Sequence, residues 1–354
     1  MLASSSFSYY SVNATAELQN RTDQRQIIKY IMIKVIMCRQ QKLCYGVHKL
    51  LTSSINSRAT WAREYATTFT DTSAALGRRL EGQVAVITGA ASGIGEATAR
   101  SFIAHGARVI IADIQDEAGT KLAKDLGPNA HFVHCDVSKE DDVSESMGLA
   151  VSVYGQLDIM YNNAGILMPK SMRGFTGISD LNLADMHEVF RTNVYGVALG
   201  IKHAARVMKP QRRGCIICTA STASIQGGLA SHQYTVSKHA VVGLTRSSAS
   251  ELSEYGIRVN CVSPTIIMTP LLELVLCNPH LKKKLGDWRT SEAGCNLSQT
   301  FLSPDEVAKA ALFLASDGNY ISGHNLVIDG SRSVTGSPKL FPLETDDGKE
   351  ENQD

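Results

Sequence analysis

A tyrosine and a lysine four positions apart are the pair in this chain best suited to proton transfer. Tyr234 and Lys238 lie in a stretch with helical patterning, and at about 3.6 residues per turn their side chains share one face. An isolated tyrosine, with a pKa of about 10, is a poor base at neutral pH, but a fixed cation nearby favours the phenolate. Lowering that pKa by about 3 units requires about 4 kcal/mol, which a close cation and a bound charged cofactor can supply together. The pair predicts a tyrosine that exchanges a proton with an alcohol, although the same spacing also occurs by chance on solvated helix faces.

A glycine-rich segment upstream suggests what the tyrosine works with. The segment 88–95 reads TGAASGIG, follows the short apolar run 83–87 and precedes 96–103, which has a helical pattern. A strand, a glycine turn and a helix are the context of a dinucleotide-binding loop, because glycine lets the backbone approach a pyrophosphate and the helix N-terminus offers free N–H groups. The residues predicted to contact the cofactor here are Gly89, Ser92, Gly93, Ile94 and Gly95.

An acidic residue after the next apolar run indicates which dinucleotide binds. Residues 108–112 have the pattern of a second buried strand, and Asp113 follows at the distance where a carboxylate binds the adenosine ribose hydroxyls. A carboxylate at this point repels a 2′-phosphate, and Ser92 leaves the glycine turn without a basic side chain to hold one. The sequence therefore predicts NAD rather than NADP.

The elements that must position these residues alternate along the chain. Strands are predicted at 83–88, 108–113, 131–135, 157–161, 214–220, 257–262 and 324–328, and helices at 93–105, 116–126, 139–154, 183–209, 231–254 and 305–316. This alternation argues for an α/β fold, a doubly wound, seven-stranded parallel sheet of the Rossmann type, as one domain over residues 79–334. Ligands of such sheets bind beyond the carboxyl ends of the strands, where the motifs lie.

With these motifs in place, the chain resembles the short-chain dehydrogenase/reductase family, in its single-domain branch, over about residues 80–331. The motif NNAG at 162–165 follows a strand, and the resemblance implies that Asn163 lies on the adenosine side of the cofactor. Asp136 and Val137 end the third strand and are similar to the family's adenine contact. These positions extend the predicted NAD-binding set across the first half of the sheet.

The same resemblance implies a catalytic set around the tyrosine. Asn193 is similar to the family's catalytic asparagine, and Ser221 is similar to its substrate-binding serine. A different interpretation is a satisfied buried amide for Asn193 and an ordinary strand-end serine for Ser221. With Tyr234 and Lys238, these residues form the predicted catalytic set.

A loop after the sixth strand is similar to the one that holds the nicotinamide carboxamide in the family. The loop spans 263–270, and the resemblance implies contacts through the Ile267 backbone and the Thr269 hydroxyl. Many members have glycine after the proline, where this chain has Thr265. We expect this difference to stiffen the loop without removing the contacts.

The resemblance is closest to the plant NAD-dependent alcohol dehydrogenases of secondary metabolism, and it implies hydride transfer from a secondary alcohol to NAD. Tyr234 would take the hydroxyl proton, Ser221 would donate to the substrate oxygen, and Lys238 would lower the tyrosine pKa and bind the nicotinamide ribose. Asn193 would connect Lys238 to solvent through an ordered water. Family members pair through the helices predicted at 183–209 and 231–254, so a homodimer or homotetramer is expected.

Two other functions stay open. One is an NADP-linked carbonyl reductase, against which Asp113 and Ser92 argue. The other is a non-catalytic dinucleotide-sensing protein, against which the complete catalytic set argues.

The segment 270–300 resembles a lid over the substrate, although a pair of surface helices is the alternative. Its apolar residues and the small residues of 227–230 predict a bulky, hydrophobic alcohol or ketone, terpenoid or phenolic.

Composition fits a globular enzyme. The 354 residues are 44% hydrophobic with a net charge of +1, which gives no indication of binding to nucleic acid or to an acidic membrane. Eight cysteines without a disulfide pattern indicate a reduced, intracellular chain. Cys215 and Cys218 invite a metal interpretation, but positions i and i+3 of a strand point to opposite faces. We therefore predict no metal site.

The extension of residues 1–78 lies outside the resemblance and has the composition of a transit peptide. Residues 37–63 hold basic but no acidic side chains, with an apolar stripe at helical spacing. The apolar run 27–37 is too short and too charged for a membrane span, which needs about 20 residues. We predict mitochondrial targeting, with a mis-started gene and a cytoplasmic protein as the alternative. The acidic tail, 335–354, is expected to be disordered.

Overall fold

A parallel β-sheet forms the centre of the computed structural model, which describes residues 77–169, 177–267, 269–272 and 302–334. The strands are β1 (Val84–Thr88), β2 (Arg108–Asp113), β3 (Ala130–His134), β4 (Ile159–Asn162), β5 (Gly214–Thr219), β6 (Ile257–Pro264) and β7 (Asn325–Ile328). Their order is β3-β2-β1-β4-β5-β6-β7, and every neighbouring pair is parallel. The predicted seven-stranded, doubly wound sheet is confirmed.

Helices cover both faces of this sheet. They are α1 (Gly93–Ala104), α2 (Asp116–Leu126), α3 (Glu140–Tyr154), α4 (Leu183–Phe190), α5 (Gly196–Gln211), α6 (His232–Leu252) and α7 (Pro304–Ser316). One core layer packs α3, α5 and α6 on the sheet, and the other packs α1, α2 and α7. Because both faces are covered, successive strand residues are buried alternately in the two layers, which explains the continuous apolar runs. Cys215 and Cys218 accordingly fall in opposite layers.

The long helix predicted over 183–209 is interrupted. A π-helical segment, Arg191–Tyr195, separates α4 from α5. Asn193 lies inside this segment and hydrogen-bonds to Ile166 in the loop after β4, a tertiary contact that helical periodicity does not reveal. The helix predicted over 231–254 also ends slightly early, because a 3₁₀ turn, Ser253–Tyr255, follows α6.

Several predictions fall on parts of the chain that the structure does not describe. The N-terminal extension up to residue 76, the part of the predicted lid (270–300) after residue 272, and the acidic tail from residue 335 lie outside the described residues. Within the described residues, no helix is long and apolar enough to cross a membrane.

Candidate active site

A cavity of about 630 Å³ lies at the carboxyl ends of the strands. The predicted site residues that line it are Gly89, Ser92, Gly93, Ile94, Asp113, Asp136, Val137, Asn163, Ser221, Tyr234, Lys238, Ile267 and Thr269. Two predicted residues, Gly95 and Asn193, lie behind this lining. The topology explains the assembly, because parallel strands bring all their following loops to one edge of the sheet.

The glycine turn between β1 and α1 is shaped by close backbone packing. Gly89 and Gly93 have φ values of +62° and +55°, which other residues rarely adopt. A Cβ on Gly95 would lie 2.1 Å from the Gly89 carbonyl oxygen, so α1 can begin this close to the loop only with glycine. Ser92 precedes α1 without a side-chain capping bond. The turn therefore presents the N-terminal end of α1, with its positive dipole, to the cavity.

The amide of Asn163 closes the other side of this turn. Its Nδ2 donates to the carbonyl oxygens of Thr88 at 3.1 Å and Gly89 at 3.2 Å. Its backbone N–H donates to the Thr88 hydroxyl at 3.0 Å. The loop after β4 is thereby tied to the glycine turn, which fixes the cavity wall between them.

Asp113 ends β2 with its carboxylate fixed at the cavity wall. One oxygen accepts from the Ala91 N–H at 2.9 Å, and the other accepts from the Gln115 N–H at 3.0 Å. Among the described residues that line the cavity, the basic ones are Lys238, on α6, and Arg332, after β7. Both come from elements on the other side of β1 from β2, so among the described lining residues no basic side chain belongs to the elements next to Asp113.

Asp136 and Val137 follow β3 at the outer end of the cavity. Burial disfavours the charge of Asp136. Hydrogen bonds from the Ser138 hydroxyl and N–H nevertheless hold the pKa of Asp136 below its usual range. The Val137 side chain packs against α5, where a Cβ on Gly196 would come within 2.9 Å of it. The pair presents an ionised acceptor beside an apolar surface, a combination that suits a flat heteroaromatic ring with an amino group.

Tyr234 and Lys238 lie together on the first turns of α6. The Lys238 Nζ is 5.5 Å from the centroid of the Tyr234 ring and donates to the Thr219 carbonyl oxygen at 2.7 Å. Lys238 is only 3% exposed, and this burial lowers its pKa to about 8. The ammonium group is thus held at the end of β5 by a backbone oxygen in a desolvated position.

The expected acidification of Tyr234 does not occur in the protein chain alone. Burial raises the pKa of Tyr234 to about 12, against the opposing effect of a hydrogen bond with Ser221. The physical reason for the upward shift is the loss of water around the phenolate. The prediction that Lys238 and a bound, charged cofactor together lower this pKa stays a prediction.

Ser221 is oriented by the turn that it begins. Its hydroxyl oxygen caps the 3₁₀ turn Thr222–Ser224 by accepting from the Ala223 N–H at 3.2 Å. Since the oxygen is used as an acceptor, the hydroxyl proton is available for donation on the side of Tyr234 and the cavity. The geometry suits a serine that donates to a substrate oxygen.

Asn193 is completely buried and its amide is engaged on both sides. Its Oδ1 accepts from the Ile166 N–H at 2.8 Å, and its Nδ2 donates to the Ile166 carbonyl oxygen at 2.9 Å and to Ser237 Oγ at 3.1 Å. A Cβ on Gly165 would lie 3.2 Å from Asn193 Oδ1 and 3.5 Å from Lys238 Nζ. These bonds make the side chain a structural support for the loop beside Lys238, and its water link to solvent stays a prediction.

The loop after β6 completes the cavity. Ile267 is buried and forms an isolated bridge with Leu302, just before α7. The Thr269 side chain lies against the glycine turn, where a Cβ on Gly93 would approach it to 3.2 Å. Their predicted positions beside the cavity are observed, and their contacts to a carboxamide stay a prediction.

Two residues of this region were missed in the sequence. Thr219 accepts the Lys238 hydrogen bond, and the Tyr161 hydroxyl lies 2.9 Å from the Thr219 Oγ1. A signal for Tyr161 existed, because a tyrosine within a fully buried strand needs a partner for its hydroxyl. Sequence offers no comparable signal for a backbone carbonyl such as that of Thr219.

Comparison with known proteins gives matches over the part of the chain that contains the sheet and the cavity. A family model described as enoyl-(acyl carrier protein) reductase matches residues 89–331. Momilactone A synthase of Oryza sativa subsp. japonica is 49% identical over 273 residues, which cover 73% of this chain and 93% of the relative. The mitochondrial borneol dehydrogenase of Lavandula x intermedia is 51% identical, with 73% and 93% covered. Secoisolariciresinol dehydrogenase of Forsythia intermedia is 50% identical, with 74% and 93% covered.

Solved structures agree with these matches. Levodione reductase superposes with a TM-score of 0.63 at 30% identity, covering 72% of this chain and 99% of that structure. The 3-ketoacyl-(acyl-carrier-protein) reductase of Brucella melitensis, complexed with NADH, gives a TM-score of 0.61 at 32% identity with the same coverage. Both structures match over nearly their full length, and this chain has further residues outside the match.

Proposed function

Because the chain belongs to the short-chain dehydrogenase/reductase family, as relatives 49% to 51% identical show, we propose that it is an NAD-dependent alcohol dehydrogenase. Its reaction is hydride transfer between NAD and a hydrophobic secondary alcohol or the corresponding ketone. The family resemblance drawn from the motifs, and its plant subgroup, are confirmed by these matches. The single observation that carries the activity is one cavity lined both by the glycine turn and by Ser221, Tyr234 and Lys238.

The lining of the cavity fits a dinucleotide. The glycine turn at Gly93 and the uncapped start of α1 suit a pyrophosphate, while the fixed carboxylate of Asp113 suits ribose hydroxyls. The carboxylate of Asp113 supports NAD over NADP. When bound, NAD supplies the hydride acceptor and a positive charge.

The residues of the chain then carry the proton. Ser221 donates to the substrate oxygen, and Tyr234 accepts the hydroxyl proton as hydride leaves the carbinol carbon. Because burial holds the pKa of Tyr234 at about 12, the ammonium group of Lys238 and the charge of the oxidised cofactor must together favour the phenolate. Lys238, held by the Thr219 carbonyl oxygen, is placed to donate to ribose hydroxyls as well.

The substrate is proposed to be bulky and apolar. Leu229, Ala230, Leu271 and Leu272 line the cavity with aliphatic surface, which supports a hydrophobic alcohol, terpenoid or phenolic. Relatives named for borneol and secoisolariciresinol agree with an alcohol substrate. Mitochondrial targeting remains our proposal for the extension of residues 1–78, and one relative carries the word mitochondrial in its name.

An oligomer is proposed through the long helices. Tyr195 before α5 and Val236 on α6 are 49% and 46% exposed, so both helices have apolar side chains on their outer surface for a helix-to-helix contact between two copies. Light scattering of the purified protein tests this proposal, and a monomer at micromolar concentration would refute it.

The activity is tested by incubating the purified full-length protein with cyclic secondary alcohols and either NAD or NADP. We expect reduced nicotinamide to form with NAD, and Tyr234→Phe to abolish its formation while NADH binding, followed by fluorescence, stays near the wild-type value. Tighter binding of NADPH than NADH would favour the carbonyl reductase. NADH binding without turnover of any alcohol or ketone would favour the dinucleotide-sensing protein.

A further inference from the structure

A buried hydrogen-bond network connects the glycine turn with the lysine. The Tyr161 hydroxyl on β4 lies 2.9 Å from Thr219 Oγ1, which lies 3.2 Å from Asn163 Oδ1. Asn163 in turn donates to the carbonyl oxygens of Thr88 and Gly89. Tyr161 is 0% exposed and is not part of the cavity lining, so the function proposed above leaves its hydroxyl unexplained.

The orientation of the Asn163 amide fixes which of its atoms faces Thr219. Because Asn163 Nδ2 donates to two carbonyl oxygens, its Oδ1 is fixed as the atom that faces Thr219 and can only accept. The single hydroxyl proton of Thr219 is shared between two acceptors, the Tyr161 hydroxyl oxygen and Asn163 Oδ1. Burial raises the pKa of Tyr161 well above its usual range, which keeps the phenol protonated.

Thr219 joins the two faces of the sheet. Tyr161 packs in the core layer of α1 and α7, whereas Lys238 comes from α6 on the opposite face. The Thr219 side chain bonds to Tyr161 on the first face, and its carbonyl oxygen accepts from Lys238 Nζ on the second. A displacement of Thr219 must therefore move the acceptor that holds the ammonium group.

We propose that Tyr161 and Thr219 are positioning residues, which with Asn163 fix the place of the Lys238 ammonium group relative to the glycine turn. This inference rests on the proposed function, because it assigns the network to the proton transfer between Tyr234 and the alcohol. Neither the phenol of Tyr161 nor the hydroxyl of Thr219 reacts. Their role is to keep the Thr219 carbonyl oxygen at hydrogen-bond distance from Lys238.

The test compares Tyr161→Phe, Thr219→Val, their double variant and Thr219→Ser. Thr219→Val leaves both the Tyr161 hydroxyl and Asn163 Oδ1 buried without their hydrogen-bond partner, so we expect kcat/KM for alcohol oxidation to fall about tenfold. Tyr161→Phe leaves no buried donor without an acceptor, and we expect kcat/KM to fall by only about threefold. The double variant should be no worse than Thr219→Val alone, because the two changes affect one network. Thr219→Ser keeps the hydroxyl and should restore activity to near the wild-type level.

A matched control separates positioning from general loss of stability. Tyr154→Phe also removes one tyrosine hydroxyl bond, that to His131 Nδ1 at 2.7 Å, but at the amino ends of β2 and β3, away from the cavity. We expect it to lower the melting temperature like Tyr161→Phe and to leave kcat/KM unchanged.

The decisive readout is the ionisation of Lys238, followed by NMR in lysine-labelled protein and assigned with Lys238→Arg. Displacement of its acceptor, the carbonyl oxygen of residue 219, disfavours the ammonium form, so Thr219→Val should lower the Lys238 pKa from about 8 and raise the pH at which kcat/KM is half-maximal. Variants with the wild-type Lys238 titration and pH profile, and only a lower melting temperature, would overturn the inference. If the wild type turns over no alcohol, the proposed function fails, and the Lys238 titration alone still decides the network. If Thr219→Val does not fold, Tyr161→Phe still perturbs the network, and its Lys238 titration compared with that of Tyr154→Phe decides the inference.

Discussion

Replacing Lys238 with methionine should destroy activity and yet stabilise the fold at neutral pH. Because one pKa unit corresponds to about 1.4 kcal/mol, the fall of the Lys238 pKa from 10.5 to about 8 means that the folded protein holds this charge at a cost of about 3 kcal/mol. Lys238→Met removes this cost but also removes the bond to the Thr219 carbonyl oxygen, worth about 1 kcal/mol. We expect a net gain of about 2 kcal/mol in the free energy of unfolding at pH 7.

The pH dependence gives this prediction a definite sign. Below a pH of about 8, lysine is protonated in both the folded and the unfolded protein, so its contribution does not change with pH. Between about 8 and 10.5 the unfolded chain binds the proton and the folded protein does not, so wild-type stability should rise relative to that of Lys238→Met. The advantage of the variant should therefore shrink across this window.

The assay is urea unfolding of both proteins, followed by circular dichroism, at pH 7 and at about pH 10. The control is Lys121→Met, an exposed lysine on α2, which should change the free energy of unfolding by less than about 0.5 kcal/mol. A Lys238→Met protein less stable than wild type at pH 7, with Lys121→Met neutral, would refute the claim that burial penalises the lysine charge.

Three further substitutions test other parts of the site. Tyr234→Phe should lower kcat for alcohol oxidation by about 10²- to 10⁴-fold with little change in NADH affinity, and residual activity within about tenfold of wild type would contradict the role of this hydroxyl as base. Asp113→Ser should weaken NADH binding and raise the relative affinity for NADPH by about tenfold or more in fluorescence titrations; an unchanged ratio would count against the carboxylate as the discriminator. Gly95→Ala places a methyl group 2.1 Å from the Gly89 carbonyl oxygen and should abolish NADH binding or lower the melting temperature by several degrees, whereas wild-type behaviour in both assays would show that the turn can relax.

The sequence predicts the sheet and the location of the site well because their causes are local. Strands buried on both faces, such as β1 and β2, need continuous apolar runs, and the close approach of Gly95 to Gly89 needs glycine. Both requirements therefore appear in the sequence, as apolar runs and as conspicuous glycines. The four-position spacing of Tyr234 and Lys238 likewise fixes them on one face of α6, and they lie together as expected.

The remaining features depend on contacts between distant segments. The π-helical segment around Asn193 accompanies its bonds to Ile166, and no periodicity in 183–209 indicates such a partner. The direction of the Tyr234 pKa depends on how much water the folded chain removes, which residue spacing cannot give. The acceptor that Thr219 offers to Lys238 is a backbone oxygen, which every residue type possesses.

The ionisation of Tyr234 with and without bound NAD tests the central claim most directly. Ultraviolet difference titration of the wild type against Tyr234→Phe isolates this one phenol. We predict a pKa near 12 in the free protein and a markedly lower value when NAD is bound, because the positive charge of the nicotinamide favours the phenolate. A Tyr234 pKa that NAD leaves unchanged would contradict its role as the base.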